Sequence, residues 1–442
     1  MIVFPNAHTV KKNAYKQTVQ GFIPGTVVVP LNQDSDVDCE CLVKEGDKVE
    51  EGQLLASYET KKGYPQLVYS PIPGIVEKIF LNPSPDGKII QSVKIRLQGS
   101  FKYVGKKRKE IDFNDFTPNQ LIKEIAKKGI LNTFVTTKAV PLADEMENIK
   151  NNKNRILVVR LFDDDPSRMI DSILTNLYQK NIIEGIKIAI KAIDADGVVL
   201  VTDNNIEQPE MFNPFEIPTL FLKLKSKEYP STFKKNICSE VKKHSKNIPF
   251  TKITARDLFT DSSTILELYN SIKYDKPVIT RLVHVTGNCL PASGIINTPI
   301  GTSFENLAEQ CGGFLSKPGA VIVNGMITGF SSLSLSATVT KYVKSVSFIT
   351  KFQCPDQRHS VCIRCGNCRN SCPAKLSPDI IYRHIIGGQS ASPDYLASTK
   401  YCLDCGICNS VCPSRLPLSQ RIKEYREKID SLKNATDGDV NE

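Results

Sequence analysis

Apolar and polar positions alternate in short runs over residues 20 to 105, and each run is closed by Gly or Pro. Gly25-Thr26-Val27-Val28-Val29-Pro30, Val43-Lys44-Glu45-Gly46-Asp47-Lys48-Val49 and Pro71-Ile72-Pro73-Gly74-Ile75-Val76 set the pattern. Such regular spacing predicts a small all-β sandwich or barrel. The period then changes: Leu121, Ile122 and Ile125 recur at helical spacing, which predicts a helix from Pro118 to Lys128. Strand-like runs follow at Ile156 to Val159, Val198 to Val201 and Thr219 to Leu222, with a helical pattern from Arg168 to Ile190 between the first two. Strands alternating with helices predict an α/β layer with a mainly parallel sheet.

From Pro277 the pattern is β-rich again. A strand over Val278 to Val285, a turn at Thr286-Gly287-Asn288 and a short helix at Phe304 to Gln310 predict a small mixed sheet with one helix. Ser331 to Ser347 reads as strand and linker, and the polar, acidic end from Asn434 to Glu442 reads as a disordered tail.

At 442 residues the chain exceeds one compact core, so several modules are expected. Its 40% hydrophobic and 24% charged content is that of an ordinary folded protein. No run approaches the roughly 18 apolar residues of a spanning helix, and Met1 to Asn13 lacks the regions of a signal peptide, so a cytoplasmic location is expected. The net charge of +10 comes mostly from lysines without an aromatic-interleaved basic block. That disfavours nucleic acid and leaves a solvated surface, or attraction to a membrane or an acidic subunit.

The chemistry sits in the cysteines. Of fourteen, eight fall in two runs: Cys362, Cys365, Cys368 and Cys372 before Pro373, and Cys402, Cys405, Cys408 and Cys412 before Pro413. Both spell C-x2-C-x2-C-x3-C-P, the bacterial iron–sulfur spacing. Three thiolates at such short intervals can wrap three corners of one cubane, whereas a tetrahedral zinc site usually pairs two well-separated C-x2-C knuckles. In two-cluster ferredoxins the fourth cysteine crosses over. The expected ligand sets are therefore Cys362, Cys365, Cys368 and Cys412 for one [4Fe-4S] centre, and Cys402, Cys405, Cys408 and Cys372 for the other. Sharing of this kind keeps the centres close, which suits electron transfer.

Cys39, Cys41, Cys238, Cys289, Cys311 and Cys354 show no ligand spacing among themselves. Cys39 and Cys41 would share one face of a strand, as free thiols or as a redox pair. His8, His244, His284, His359 and His384 are scattered, and no catalytic set can be assembled from them.

The runs Cys362-Ile363-Arg364-Cys365-Gly366-Asn367-Cys368 and Cys402-Leu403-Asp404-Cys405-Gly406-Ile407-Cys408, with Val411 to Leu418, resemble the C subunit of the Rnf (Rsx) electron-transport complex. The order of modules agrees. The resemblance implies a multidomain α/β and β protein. It would comprise a barrel-sandwich hybrid domain (1–115), a Rossmann-like domain related to the complex I flavin subunit (116–276), a ligand-binding β-grasp domain (277–350), a two-cluster ferredoxin domain (351–430) and a tail (431–442). It also implies membrane flavin subunits as partners and a peripheral place on the cytoplasmic face of the bacterial inner membrane.

In that family the middle domain is implied to bind FMN and to accept hydride from NADH, through a Gly-rich loop and a Glu-Cys-Glu-Pro stretch. Here the first reads Gly129-Ile130-Leu131-Asn132-Thr133-Phe134-Val135-Thr136, with one glycine, and the second Asp163-Asp164-Asp165-Pro166. Without glycines a backbone cannot come close to a phosphate. Either FMN and NADH still bind, giving an NADH dehydrogenase-type activity, or the fold is a remnant and the chain a relay fed by another donor. A soluble cobalamin-reductase-like flavin and iron–sulfur oxidoreductase has a similar layout but should keep its glycine loop. Val43 to Gln53, Glu59-Thr60-Lys61-Lys62 and Ser70 to Val76 also resemble a lipoyl or biotinyl carrier, with Lys62 near the modified lysine, although Gly63-Tyr64-Pro65 departs from the attachment turn.

Overall fold

The computed structural model describes residues 2–3, 17–32, 39–58, 63–106, 109–135, 139–203, 215–225, 228–354, 360–387 and 393–436. Lys62, Thr136, His8, His359 and the end of the tail from 437 lie outside them. The chain divides into two compact units. The larger covers residues 6–226 and 231–354; the smaller gathers the N-terminal strand, residues 228–230 and the cysteine region.

In the larger unit the alternating runs form two facing sheets. One is ordered Thr26–Pro30, Ile89–Leu97, Gly74–Pro83 and Lys48–Val49; the other is Glu40–Cys41, Leu54–Tyr58 and Gln66–Tyr69. Val27, Val29, Leu55, Val76, Val93 and Ile95 fill the space between them. Their period-two placement puts each on the inner face.

Helix Pro118–Lys128 lies where the spacing predicts it and buries Leu121, Ile122 and Ile125. Thr117 and Gln120 form a reciprocal capping box at its start, and Gly129 ends it in the left-handed conformation at φ 67°. A four-stranded parallel sheet follows in the order Thr219–Lys223, Gly197–Thr202, Ile156–Arg160, Leu258–Asp261. Apolar side chains cover both of its faces, Leu157, Val159, Val198 and Leu200 in one core and Val158, Val199, Val201 and Phe259 in the other. That two-sided burial explains why these strands read as unbroken apolar runs. The pattern from Arg168 to Ile190 resolves into two helices, Ile170–Leu177 and Gln179–Ile193.

The mixed sheet is six-stranded, with Thr280–Thr286 paired antiparallel to Gly294–Pro299 and parallel to Ser345–Ile349. Val19–Gln20 from the N-terminal region adds an edge strand. Helix Phe304–Gln310 packs on this sheet through Phe304, Leu307 and Ala308.

Candidate iron–sulfur site

The cysteine region is a backbone repeat as well as a sequence repeat. Arg364 and Asp404, Gly366 and Gly406, and Lys375 and Arg415 stand forty residues apart in pairs, and all six have positive φ. Each glycine caps a single helical turn, Asn367–Asn370 in the first run and Ile407–Ser410 in the second. Helices Pro378–Gly387 and Leu418–Thr436 then follow at the same interval. Two left-handed residues on either side of the second cysteine fold the chain back sharply, so that the third can meet the first two. Equivalent hydrogen bonds close both turns: Asn370 and Ser410 amides donate to the Gly366 and Gly406 carbonyls at 3.1 and 3.3 Å.

The repeat brings the four cysteines of the first expected set to one cavity. This cavity is lined by Cys362, Cys365 and Cys368 from the first run and by Cys412 from the second. Leu416 and Leu418 form its apolar wall. Cys402, Cys405, Cys408 and Cys372 form the other neighbourhood: burial first, then charge on Cys405, Cys402 and Cys372, pushes the Cys408 thiol up. Burial also pushes Cys405 up to about 11, with Cys372 adding to it. Among the described residues no three His, Cys, Asp or Glu side chains converge as a single metal ion would need. A cubane instead takes its four thiolates around the outside of a larger body.

The two neighbourhoods differ. Cys365 is exposed, whereas Cys405 is buried. Val361 and Ile363 around the first knuckle are 87% and 66% exposed. Over the second, the Tyr229 hydroxyl donates to the Cys405 carbonyl at 2.7 Å. Tyr229 belongs to strand Glu228–Tyr229, which pairs antiparallel with Ile2–Val3. Near the first set, Arg369 clamps Asp379 with two bonds at 2.6 and 2.5 Å. At the second, Arg426 bonds Asp404 and donates to the Cys402 carbonyl at 3.1 Å. The Leu376 amide donates to Cys372 Sγ at 3.3 Å. Sequence reasoning missed Tyr229, Arg426 and Asp379; the forty-residue spacing alone marks only the positions inside the repeat.

The remaining cysteines are free thiols. Cys39 and Cys41 donate to different carbonyls, those of Leu31 and Val43, both at 3.4 Å. His284 is buried in its strand and His244 meets the Glu240 carbonyl through Nδ1 at 2.9 Å.

Residues 6–100 match the RnfC barrel sandwich hybrid domain, and residues 361–416 match a 4Fe-4S dicluster domain. The chain is RnfC-like. It is 24% identical over 369 residues to the C subunit of the ion-translocating oxidoreductase complex of Rhodobacter capsulatus, covering 80% of this chain and 69% of that one. Identity is also 24%, over 365 residues, to the C subunit of the proton-translocating ferredoxin:NAD(+) oxidoreductase complex of Clostridium ljungdahlii, covering 81% of this chain and 78% of that one. The C subunit of the ion-translocating oxidoreductase complex of Methanosarcina acetivorans is 25% identical over 376 residues, covering 80% of this chain and 81% of that one. Among solved structures, an H2-reduced NAD+-reducing [NiFe]-hydrogenase shares 13% identity at a TM-score of 0.48, over 69% of this RnfC-like chain and 60% of that one.

Proposed function

We propose that this RnfC-like chain is the iron–sulfur electron-transfer subunit of an Rnf-type complex and carries electrons through two [4Fe-4S] clusters. The observation that supports this most is the cavity where Cys412 of the second run joins Cys362, Cys365 and Cys368 of the first. Cys402, Cys405, Cys408 and Cys372 would hold the other cluster. Eight soft donors around apolar walls suit iron–sulfide cores.

Bound clusters would supply one-electron storage at two neighbouring points. The chain's own groups set the conditions for it. Left-handed Arg364, Gly366, Asp404 and Gly406 shape the knuckles, and the Leu376 amide offers a hydrogen bond to a ligand sulfur. Leu416 and Leu418 keep water from one side of the first set. Exposed Cys365 brings that set to the surface, where an electron can pass to or from a partner. Among the described residues no helix is long and apolar enough to cross a membrane. Its place in our reading is peripheral, on the cytoplasmic face of the inner membrane, held by other subunits of the complex.

Cys365→Ser and Cys405→Ser are each expected to remove iron and acid-labile sulfide, by about half for a chain with two equal clusters. Unchanged iron in both variants after anaerobic reconstitution would sink the ligand assignment.

A further inference from the structure

The middle domain is an open parallel sheet, and such sheets take ligands outside their carboxyl ends where the strand order reverses. Here the chain leaves strand Ile156–Arg160 toward Gly197–Thr202 and returns on its other side as Leu258–Asp261. The reversal point therefore lies between the ends at Arg160 and Asp261.

That place is occupied by the chain itself. Phe134, from the loop with a single glycine, is buried beneath the Arg160 guanidinium, which stands 4.1 Å from its ring centre. Arg160 also donates to the Phe134 and Phe162 carbonyls, both at 3.1 Å, and pairs with Asp164 at 3.5 Å. Asp261 accepts from Lys344 Nζ at 2.6 Å, from the Thr264 amide at 2.8 Å and from the Thr133 hydroxyl at 3.1 Å. Lys344 bonds Asp171 as well, at 2.8 Å.

The acidic stretch is spent in the same way. Arg168 holds Asp163 at 3.0 Å and bonds Asp164. Asp165 accepts from the Ile327 and Thr328 amides at 2.9 and 2.8 Å. Each of these carboxylates is buried. An isoalloxazine ring would have to expel Phe134 and Arg160 and leave Asp164 without one of its cations. The residues present do not fit a flavin.

We propose that the reversal-point crevice is closed by an internal plug of Phe134, Arg160, Asp261 and Lys344, so that this chain binds neither FMN nor NADH there. On the electron-relay reading above, the clusters are then reduced by a one-electron protein donor of the reduced iron–sulfur or flavodoxin type. One electron leaves that donor and one enters a cluster, with no hydride and no bond made or broken.

The full-length, cluster-loaded chain is dialysed anaerobically against excess FMN, and bound flavin is measured by fluorescence after acid release. The expected result is no retained flavin, and cluster absorbance that falls with a reduced ferredoxin but not with NADH plus FMN. Stoichiometric flavin with hydrogen-exchange protection at residues 131–135 and 160–165 overturns the proposal, as does bleaching by NADH plus FMN. A second arm uses Phe134→Gly with Arg160→Asn, checked for folding by circular dichroism; retained flavin in this variant alone supports the plug. The flavin readout involves no iron, so it can fail while the iron loss of the cysteine variants stands, and the reverse.

Discussion

Replacing Lys344 by Met keeps the length of the side chain and removes its charge. Lys344, Asp171 and Asp261 have no solvent-exposed side-chain surface, and the ammonium lies 2.8 and 2.6 Å from the two carboxylates. Removing one partner of a buried ion pair costs about 3–5 kcal/mol, because the remaining charge is stranded. Both carboxylates keep other donors: Asp171 accepts from the Ser263 amide at 3.0 Å and Asp261 from the Thr264 amide at 2.8 Å. We therefore expect the lower end, about 3 kcal/mol. With a urea slope of about 2 kcal/mol/M, the midpoint should fall by about 1.5 M.

The effect should also depend on pH with a definite sign. Burial alone would raise the Asp261 pKa, but Lys344 and then Arg160 outweigh it and hold the carboxyl well below the usual range. In the native protein this carboxylate contributes stability that is present above its unfolded pKa of about 3.9 and lost as pH falls through the folded value. Without Lys344 the ordering reverses, and protonation at low pH relieves the variant. The deficit should be larger at pH 7 than at pH 5. Urea unfolding followed by far-ultraviolet circular dichroism at both values checks this; the sequence has no Trp, so indole fluorescence cannot serve. A midpoint change below about 0.5 M at pH 7, or a deficit that grows as pH falls, would refute the reasoning. Adding Asp171→Asn and Asp261→Asn to Lys344→Met should restore much of the loss.

Burial pushes Lys341 down to about 8, and its ammonium donates to the Leu67 and Gly129 carbonyls at 2.7 and 2.9 Å. Because the folded chain gives up this proton before the unfolded one, stability should rise between about pH 8 and 10.5, by on the order of 3 kcal/mol. Lys341→Met should flatten that rise in a urea series. Gly366 has φ 78° with nothing near its Cβ position, so Gly366→Ala should cost about 1–2 kcal/mol from backbone strain alone and Gly366→Asn less, read as midpoint shifts of the loaded protein. Tyr229→Phe leaves the buried Cys405 carbonyl without its 2.7 Å donor and should cost about 1–3 kcal/mol. The check is faster amide exchange around residues 402–408, with iron content unchanged at first.

Much of this architecture is legible because it is local. Leu121, Ile122 and Ile125 mark their helix through periodicity, and both cysteine runs declare themselves through spacing. What stays hidden depends on partners far apart in the chain. Lys344 lies in a Ser- and Thr-rich stretch that reads as strand and linker, yet it is among the largest fully buried side chains, because Asp171 and Asp261 wait 173 and 83 residues away. The altered loop and acidic stretch can be recognised as departures from sequence alone. Only the fold shows that Phe134 and Arg160 fill the space those departures leave. The break between Ile170–Leu177 and Gln179–Ile193 is invisible for a related reason: no Pro or Gly marks it, and Tyr178 carries a non-helical backbone between two apolar faces.

The smaller unit takes its material from three distant stretches: Ile2–Val3, the segment around Tyr229 and the chain from residue 360. Tyr229, which covers its second knuckle through the bond to the Cys405 carbonyl, is made long before that cysteine. During synthesis those early segments must stay available while more than a hundred later residues emerge, and the knuckle remains uncovered until they meet. A fragment that begins at residue 360 would carry all eight motif thiols yet lack the Tyr229 hydroxyl over the second knuckle, so the cysteine region moved alone leaves part of its setting behind.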